Sequence, residues 1–350
     1  MRRISGELQG ATGVFTLKSS GSGDDDDGGA ILDMCAAPGA FLEVAVEMNP
    51  QAVQIKGFTL PVAEGGHAVL ADQERVRDAI REVDINFLAE DMGMRLEDIP
   101  DTHPDKARFL PSAFGVGGGA NKSSEEKGDD VDKENRDISQ VEEEKELYDL
   151  ILCDGQVLRT HPRADYRERR EAQRLGLAQL AIGLSHIRPG GKMLVLMHKV
   201  ESWKCVIILY TLSKFADIEL YKPRGGHAKR GSFYLVAKNV RPESSEAVTA
   251  VEGWKKLWRL ATFGDPGSER GRGDEGEDRK KNAGGEDEEE GEGDEFSRLA
   301  REMAPDANDL LNEFGETLIE LGRPIWRTQA DALRKTPFVR DAVETAGASV

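Results

Sequence analysis

The run Ile31-Leu32-Asp33-Met34-Cys35-Ala36-Ala37-Pro38-Gly39-Ala40-Phe41-Leu42-Glu43 constrains this chain most, because an apolar strand gives way to small residues and restarts as a helix. Small side chains and Gly39 let the backbone pass close to a ligand. The free N–H groups opening the next helix favour a polar or anionic group there. A side chain added at Gly39 is expected to fill the ligand's space. Further apolar runs give strands at 49–60, 84–90, 148–153 and 193–197, with a terminal pair at 218–221 and 233–238. Helical patterns fill 69–83, 159–186 and 202–215. Strands and helices alternating in this order imply an α/β, Rossmann-like fold: a mostly parallel sheet with helices on both faces, plus a helical C-terminal extension.

Composition divides the rest. Residues 1–30 read as a flexible N-terminal segment ending in a Gly/Asp spacer, 31–240 as the α/β domain, and about 115–146 as a disordered acidic insertion within it. A short helical segment (241–263), an acidic disordered linker (264–295) and a helical extension (296–350) follow. The sheet is complete by residue 240, so a chain lacking 241–350 is expected to fold. The net charge of −18 argues against a globally basic nucleic-acid binder, but 150–240 carries 16 Lys/Arg against 7 Asp/Glu, whereas 264–295 carries 5 against 14. A basic domain therefore bears acidic appendages. The three cysteines and six histidines have no metal-ligand spacing, and the acidic linker has no calcium-loop spacing, so no metal is expected. No apolar run reaches membrane length and no leader is evident, which reads as a soluble, intracellular chain with no membrane partner, nucleus and cytoplasm not being distinguished.

Four landmarks in order carry a resemblance: the Asp33-x-x-Ala36-Ala37-Pro38-Gly39-x-Phe41 turn, the strand Lys56-Gly57-Phe58-Thr59-Leu60, the strand ending Cys153-Asp154-Gly155, and the turn Pro189-Gly190-Gly191. Together with Leu220-Tyr221-Lys222-Pro223 and Ser232-Phe233-Tyr234, they resemble the FtsJ-like family of S-adenosylmethionine-dependent RNA 2′-O-methyltransferases, and within it the cap-methylating branch. The resemblance implies S-adenosyl-L-methionine as cofactor and RNA as partner. It implies cofactor-binding roles for Asp33, Ala37, Pro38, Gly39, Phe41, Asp91 and Asp154, with Gly39 and Phe41 cradling the methionine part and Asp91 near the adenine amine.

The family's Lys-Asp-Lys-Glu tetrad is incomplete here. Asp154 is present. Leu196 stands where the strand lysine belongs, Ser232 stands at the glutamate, and Lys18 is the only lysine near the first position. Lys199, three residues beyond Leu196, is the candidate replacement; odd displacement on an extended strand would turn it to the other face unless the strand ends at Met197. Asp154 and Lys199 are thus the catalytic candidates. Clustered, permanently charged donors suit phosphate, which nominates Arg159, Arg163, Arg167 and Arg170 on the helix and Lys229 and Arg230 in a Gly-rich loop as RNA-facing. Two other readings remain: a catalytically weakened methyltransferase-fold protein that binds RNA or cofactor, and an NAD-dependent oxidoreductase. The latter is disfavoured because the first turn lacks Gly-x-Gly-x-x-Gly and the second strand has no terminal acid.

Overall fold

A computed structural model describes residues 1–17, 28–114, 145–158, 164–264 and 294–336. Lys18, the Gly/Asp spacer, nearly all of the acidic insertion and linker, Arg159, Arg163 and the last residues lie outside that set. Seven strands form one sheet: β1 (Ala30–Asp33), β2 (Gln54–Thr59), β3 (Ile80–Glu82), β4 (Tyr148–Cys153), β5 (Ile187–His198), β6 (Asp217–Tyr221) and β7 (Ser232–Lys238). Their order is β3-β2-β1-β4-β5-β7-β6. β1 to β5 run parallel, and β7 pairs antiparallel with both β5 and β6. The expected mostly parallel sheet is therefore present.

Period-two alternation sorts the apolar residues onto two faces. Ile151 and Cys153 of β4, Met193, Val195 and Met197 of β5, and Phe233 and Leu235 of β7 join one core with α5 (Glu171–His186), α6 (Trp203–Ser213) and α7 (Ser245–Phe263). Leu150 and Leu152, Leu194, and Tyr234 and Val236 join the other, with α1 (Arg2–Thr12), α2 (Ala40–Met48) and Val76 of α3 (Glu74–Ala79). Each core covers one side of every central strand. That is why these strands read as continuous apolar runs.

Three expectations need correction. Residues 2–17 are structured: Ile4 and Leu8 of α1 are buried, and the Asn49 side chain accepts from Leu17 N (2.8 Å) and donates to Phe15 O (2.6 Å). The third strand lies at 80–82, not 84–90, because the Asp84 carboxylate accepts from Asn86 N (3.0 Å) and turns the chain into a single 3-10 turn, Ile85–Phe87. The helix after 240 is a full part of the domain. It spans 19 residues, packs across α5 and buries Trp258 completely, so the sheet is complete at 240 but its covering layer is not. In the C-terminal extension α9 (Ala307–Arg334) runs through Pro324, held by buried Phe314 and Ile325 and by a Trp326 Nε1–H donated to Glu201 (2.9 Å).

Candidate active site

The strand order reverses at β1, whose neighbours β2 and β4 lead in opposite directions. The crevice outside the carboxyl ends of such strands is where doubly wound sheets hold ligands. A cavity of about 340 Å³ opens there. Its β2–β3 side is formed by Thr59, Leu60, Glu64 and the 83–86 segment; its β5–β7 side by Leu196, His227 and Tyr234; Cys35, Ala37, Pro38, Asp154 and Gly155 lie between.

Local sequence builds this shape. Gly39 caps α2 with φ +113, a backbone conformation strained for any side chain. A Cβ there would point at Ala71 Cβ, 3.0 Å away, and not into the cavity. A substitution at Gly39 therefore distorts the turn instead of filling the ligand's space. Gly155 is small for another reason: a Cβ would collide with Cys35 Sγ, so the ends of β1 and β4 close on each other only through this glycine.

Of the residues expected to hold cofactor, Ala37, Pro38 and Asp154 line the cavity. The others do not. Asp33 is buried behind the wall, where its carboxylate accepts from Cys35 N (3.0 Å) and fixes the turn. Phe41 packs between Phe15 and Tyr234, both at 5.7 Å between ring centroids, and so supports the Tyr234 wall from behind. Asp91 accepts from Ser112 Oγ (2.6 Å) and Ala113 N (2.9 Å), a structural staple away from the crevice. With the third strand ending at Glu82, Asp84 and Asn86 occupy the place that Asp91 was expected to fill.

Among the residues lining the cavity, Asn86 Oδ1, the Tyr234 hydroxyl, and Nε and Nη1 of Arg167 have no hydrogen-bond partner. A buried acceptor or donor without a partner is costly, and a ligand supplying the partner recovers that cost. Burial raises the carboxyls of both Asp33 and Asp154 above the ordinary range, and the Asp154 charge raises Asp33 further. A cationic ligand favours their ionised forms. Glu64, five residues beyond the end of β2, stands on the wall paired with Arg108.

The structure separates the RNA-facing candidates. Arg167 is buried, 3.7 Å from Asp105 and 3.6 Å from Glu171. Arg170 turns to Asp294, the cap of α8 (Glu295–Met303), and lies over the Phe296 ring at 4.2 Å. Both arginines are engaged with acids of neighbouring segments, as Arg174 beside them is with Glu171, and Arg167 also lines the cavity. Lys229 and Arg230 are exposed in the loop between β6 and β7, at the rim of the crevice. Lys199 follows the last residue of β5 with φ 52; it is exposed and stands outside the cavity wall. Because β5 runs through His198, it is His198 that shares the face of Leu196, its Nε2 hydrogen-bonded to Gln156 Nε2 (2.6 Å). Asn86, Glu64 and His198 were not singled out by the sequence pattern, and His227 and Tyr234 entered only as neighbours of Lys229 and Arg230 and as part of the resembling strand, since placing them at the crevice requires knowing where the strands end. Among the described residues no group of His, Cys, Asp and Glu could hold a metal ion, and no helix is long and apolar enough to cross a membrane.

The FtsJ-like methyltransferase family model matches residues 21–240, which span the turn, the crevice and the whole sheet. The chain belongs to the FtsJ-like methyltransferase family. It is a methyltransferase with S-adenosyl-L-methionine as cofactor, and the crevice fits that cofactor: the paired acids suit its positive charge, and Asn86 Oδ1 awaits a donor such as an amine. Among solved structures the chain is similar to a protein described as a ribosomal RNA methyltransferase from Plasmodium falciparum, with 17% identity, 69% of this chain and 97% of that chain covered, and TM-score 0.33. It is also similar to the N-methyltransferase NodS of Bradyrhizobium japonicum in complex with S-adenosyl-L-homocysteine (13% identity, 60% and 78% covered, TM-score 0.30). A third is human methyltransferase-like protein 13 with SAH (12% identity, 74% and 88% covered, TM-score 0.31). No curated protein matches the sequence. The assignment rests on the family match and the crevice.

Proposed function

We propose that this FtsJ-like methyltransferase transfers the methyl group of S-adenosylmethionine to a ribose 2′-hydroxyl of RNA, with a cap-proximal nucleotide as the favoured target. The observation that carries the proposal is the position of Asp154: it ends β4 on the crevice wall, facing Leu196 and Tyr234 of the substrate side, while exposed Lys229 and Arg230 flank the rim. The 83–86 segment and Glu64 serve the nucleoside end of the cofactor, Ala37 and Pro38 its amino-acid end, and Asp154 the sulfonium between them. The exposed cations draw the phosphate backbone to the rim. Lys199, one residue past the strand, is offered as an accessory cation for the same backbone.

Leu196 and Ser232 at two tetrad positions favour a second reading, a binder of RNA and cofactor with weakened chemistry. The deciding experiment is single-turnover methyl transfer from labelled S-adenosylmethionine to capped and uncapped RNA, followed by nuclease mapping of the labelled nucleotide. Label in ribose, lost by roughly 100-fold or more in Asp154→Asn, supports the enzyme. Binding of both ligands with no transfer supports the binder, and label on a base defeats the ribose assignment.

A further inference from the structure

The tetrad substitutions leave a question of chemistry: Leu196 and Ser232 can neither take a proton from a hydroxyl at neutral pH nor hold a lysine that would. The crevice nonetheless contains a group suited to that task. His227 is half-buried on the substrate wall. Its Nδ1 is hydrogen-bonded to Ser232 Oγ, and its ring meets that of Tyr234 edge-on at 5.8 Å.

The loop that carries it is well built. Ala228 N donates to Gly225 O (3.0 Å), Arg230 N to His227 O (3.1 Å), and Lys199 N to Gly231 O (3.0 Å). Buried Lys222 closes the loop by donating to the carbonyls of Arg230 (2.5 Å) and Ser232 (2.8 Å). A side chain fixed this way is preorganised, as a catalytic group must be.

We propose that His227 is the general base of methyl transfer, its Nε2 accepting the proton of the attacking substrate hydroxyl. This rests on the reading above. With the Nδ1–H donated to Ser232 Oγ, Nε2 keeps a lone pair turned to the crevice. Ser232 then orients a histidine at the place where the family uses an acid to hold a lysine. In the step, the hydroxyl oxygen bonds to the methyl carbon and the carbon–sulfur bond breaks with its electron pair remaining on sulfur. The hydroxyl proton passes to Nε2, and the imidazolium releases it to solvent. Asp154 across the cavity, charged opposite to the imidazolium, stabilises it as it forms.

The surroundings keep the imidazole neutral beforehand. Burial, then the charges of Arg230 and Lys222 and the neighbouring His198, hold it below its ordinary value. The other groups facing it, Ser232 and the Tyr234 hydroxyl, carry no charge at neutral pH; burial and the Asp154 charge raise that hydroxyl further. Neutral His227 is therefore the form present in the free protein at pH 7.

The test joins two readouts on the full-length protein. Nitrogen-15 NMR of the imidazole should show the proton on Nδ1 and titration below the free-histidine value of about 6.5. Single-turnover transfer should rise with pH through that same midpoint and then level. His227→Gln should lose roughly 100-fold or more in rate, and with it the pH midpoint, while S-adenosylhomocysteine affinity changes less than about twofold. Ser232→Ala should redistribute the proton between the two ring nitrogens. A proton fixed on Nε2, or a His227→Gln variant with the wild-type rate, overturns the proposal. A wild type that methylates no RNA overturns the RNA reading, and His227 is then judged by its tautomer alone.

Discussion

Two basic segments follow strands at the same edge of the sheet, and they have opposite fates. Between residues 165 and 174 three of the four arginines turn inward: Arg167 is buried, Arg174 is almost fully buried and bonded to Glu171 Oε2 (2.9 Å) and Thr262 Oγ1 (3.0 Å), and Arg170 is paired with Asp294. Of the basic residues in the 222–231 loop only Lys222 is buried, and Arg224, Lys229 and Arg230 are exposed. Local charge density is similar in both. The difference lies in acids far away in sequence: Asp105 and Asp294 fold back on the first segment and pair with its guanidinium groups, whereas over the second Glu7 accepts only from the Arg224 backbone N (2.7 Å). Burial against those acids makes the first cluster a joint; its absence leaves the second free to meet phosphate. Against the cost of its own burial, Asp294 is held down at about 2 by the Ser297 amide and hydroxyl and the Arg170 guanidinium, as suits a permanent joint.

The largest expected effect comes from removing one side of that joint. A chain ending at Val240 loses Trp254, Trp258 and Thr262, which cover and bond α5. Removing one large aromatic from a core costs about 3–5 kcal/mol, against a total stability of about 5–15 kcal/mol. No cooperative urea transition is expected for this truncation. A sharp transition near that of the full chain would show that the arginine face does not depend on α7.

Next in size is Arg174→Ala, which removes the hydrogen-bonded partner of buried Glu171 and leaves it only the more distant Arg167 (3.6 Å). Urea denaturation should show a loss of about 3–5 kcal/mol. The double variant Lys229→Ala/Arg230→Ala should change stability by no more than about 0.5 kcal/mol. Its RNA affinity should fall, and the slope of log affinity against log salt should shrink by about 0.7 for each lost contact to a single strand. If Arg174→Ala weakens RNA binding at unchanged stability, the two segments have been assigned the wrong way round.

A further effect concerns the crevice between them. Asp33 and Asp154 have raised carboxyls, so they favour the folded state in their protonated forms. That stability is fully present below the unfolded value of about 4 and is lost as pH rises through the higher folded values. Asp154→Asn should match wild type near pH 4 and exceed it at pH 8 in urea melts. A wild type more stable than the variant at pH 8 would mean that Asp154 has a positive partner in the free protein.

The backbone plan was legible because each central strand is covered on both faces and so announces itself as an apolar run, as 148–153 does. The cofactor turn was legible through Ala37, Pro38 and Gly39, which allow little else. Orientation was not. The helical pattern of Arg167, Arg170 and Arg174 shows a stripe but not whether it faces water, since the deciding acids lie tens of residues away in either direction. Strand ends were equally hidden: one capping carboxylate at Asp84 moves the third strand's end from Glu90 back to Glu82 and thereby exchanges Asp91 for Asn86 at the crevice. The same uncertainty at β5, one residue long, decides between Lys199 and His198.

That exchange gives the most direct test of the site. S-adenosylhomocysteine should be titrated calorimetrically into wild type, Asn86→Ala and Asp91→Ala, with urea melts recorded for each. Asn86 Oδ1 has no partner in the free protein, so its removal should leave stability nearly unchanged and weaken binding about tenfold, the scale of one hydrogen bond. Asp91→Ala should cost stability through its lost bonds to Ser112 and Ala113, and leave affinity unaltered. Affinity lost in Asp91→Ala and kept in Asn86→Ala would contradict the placement of the cofactor in this crevice.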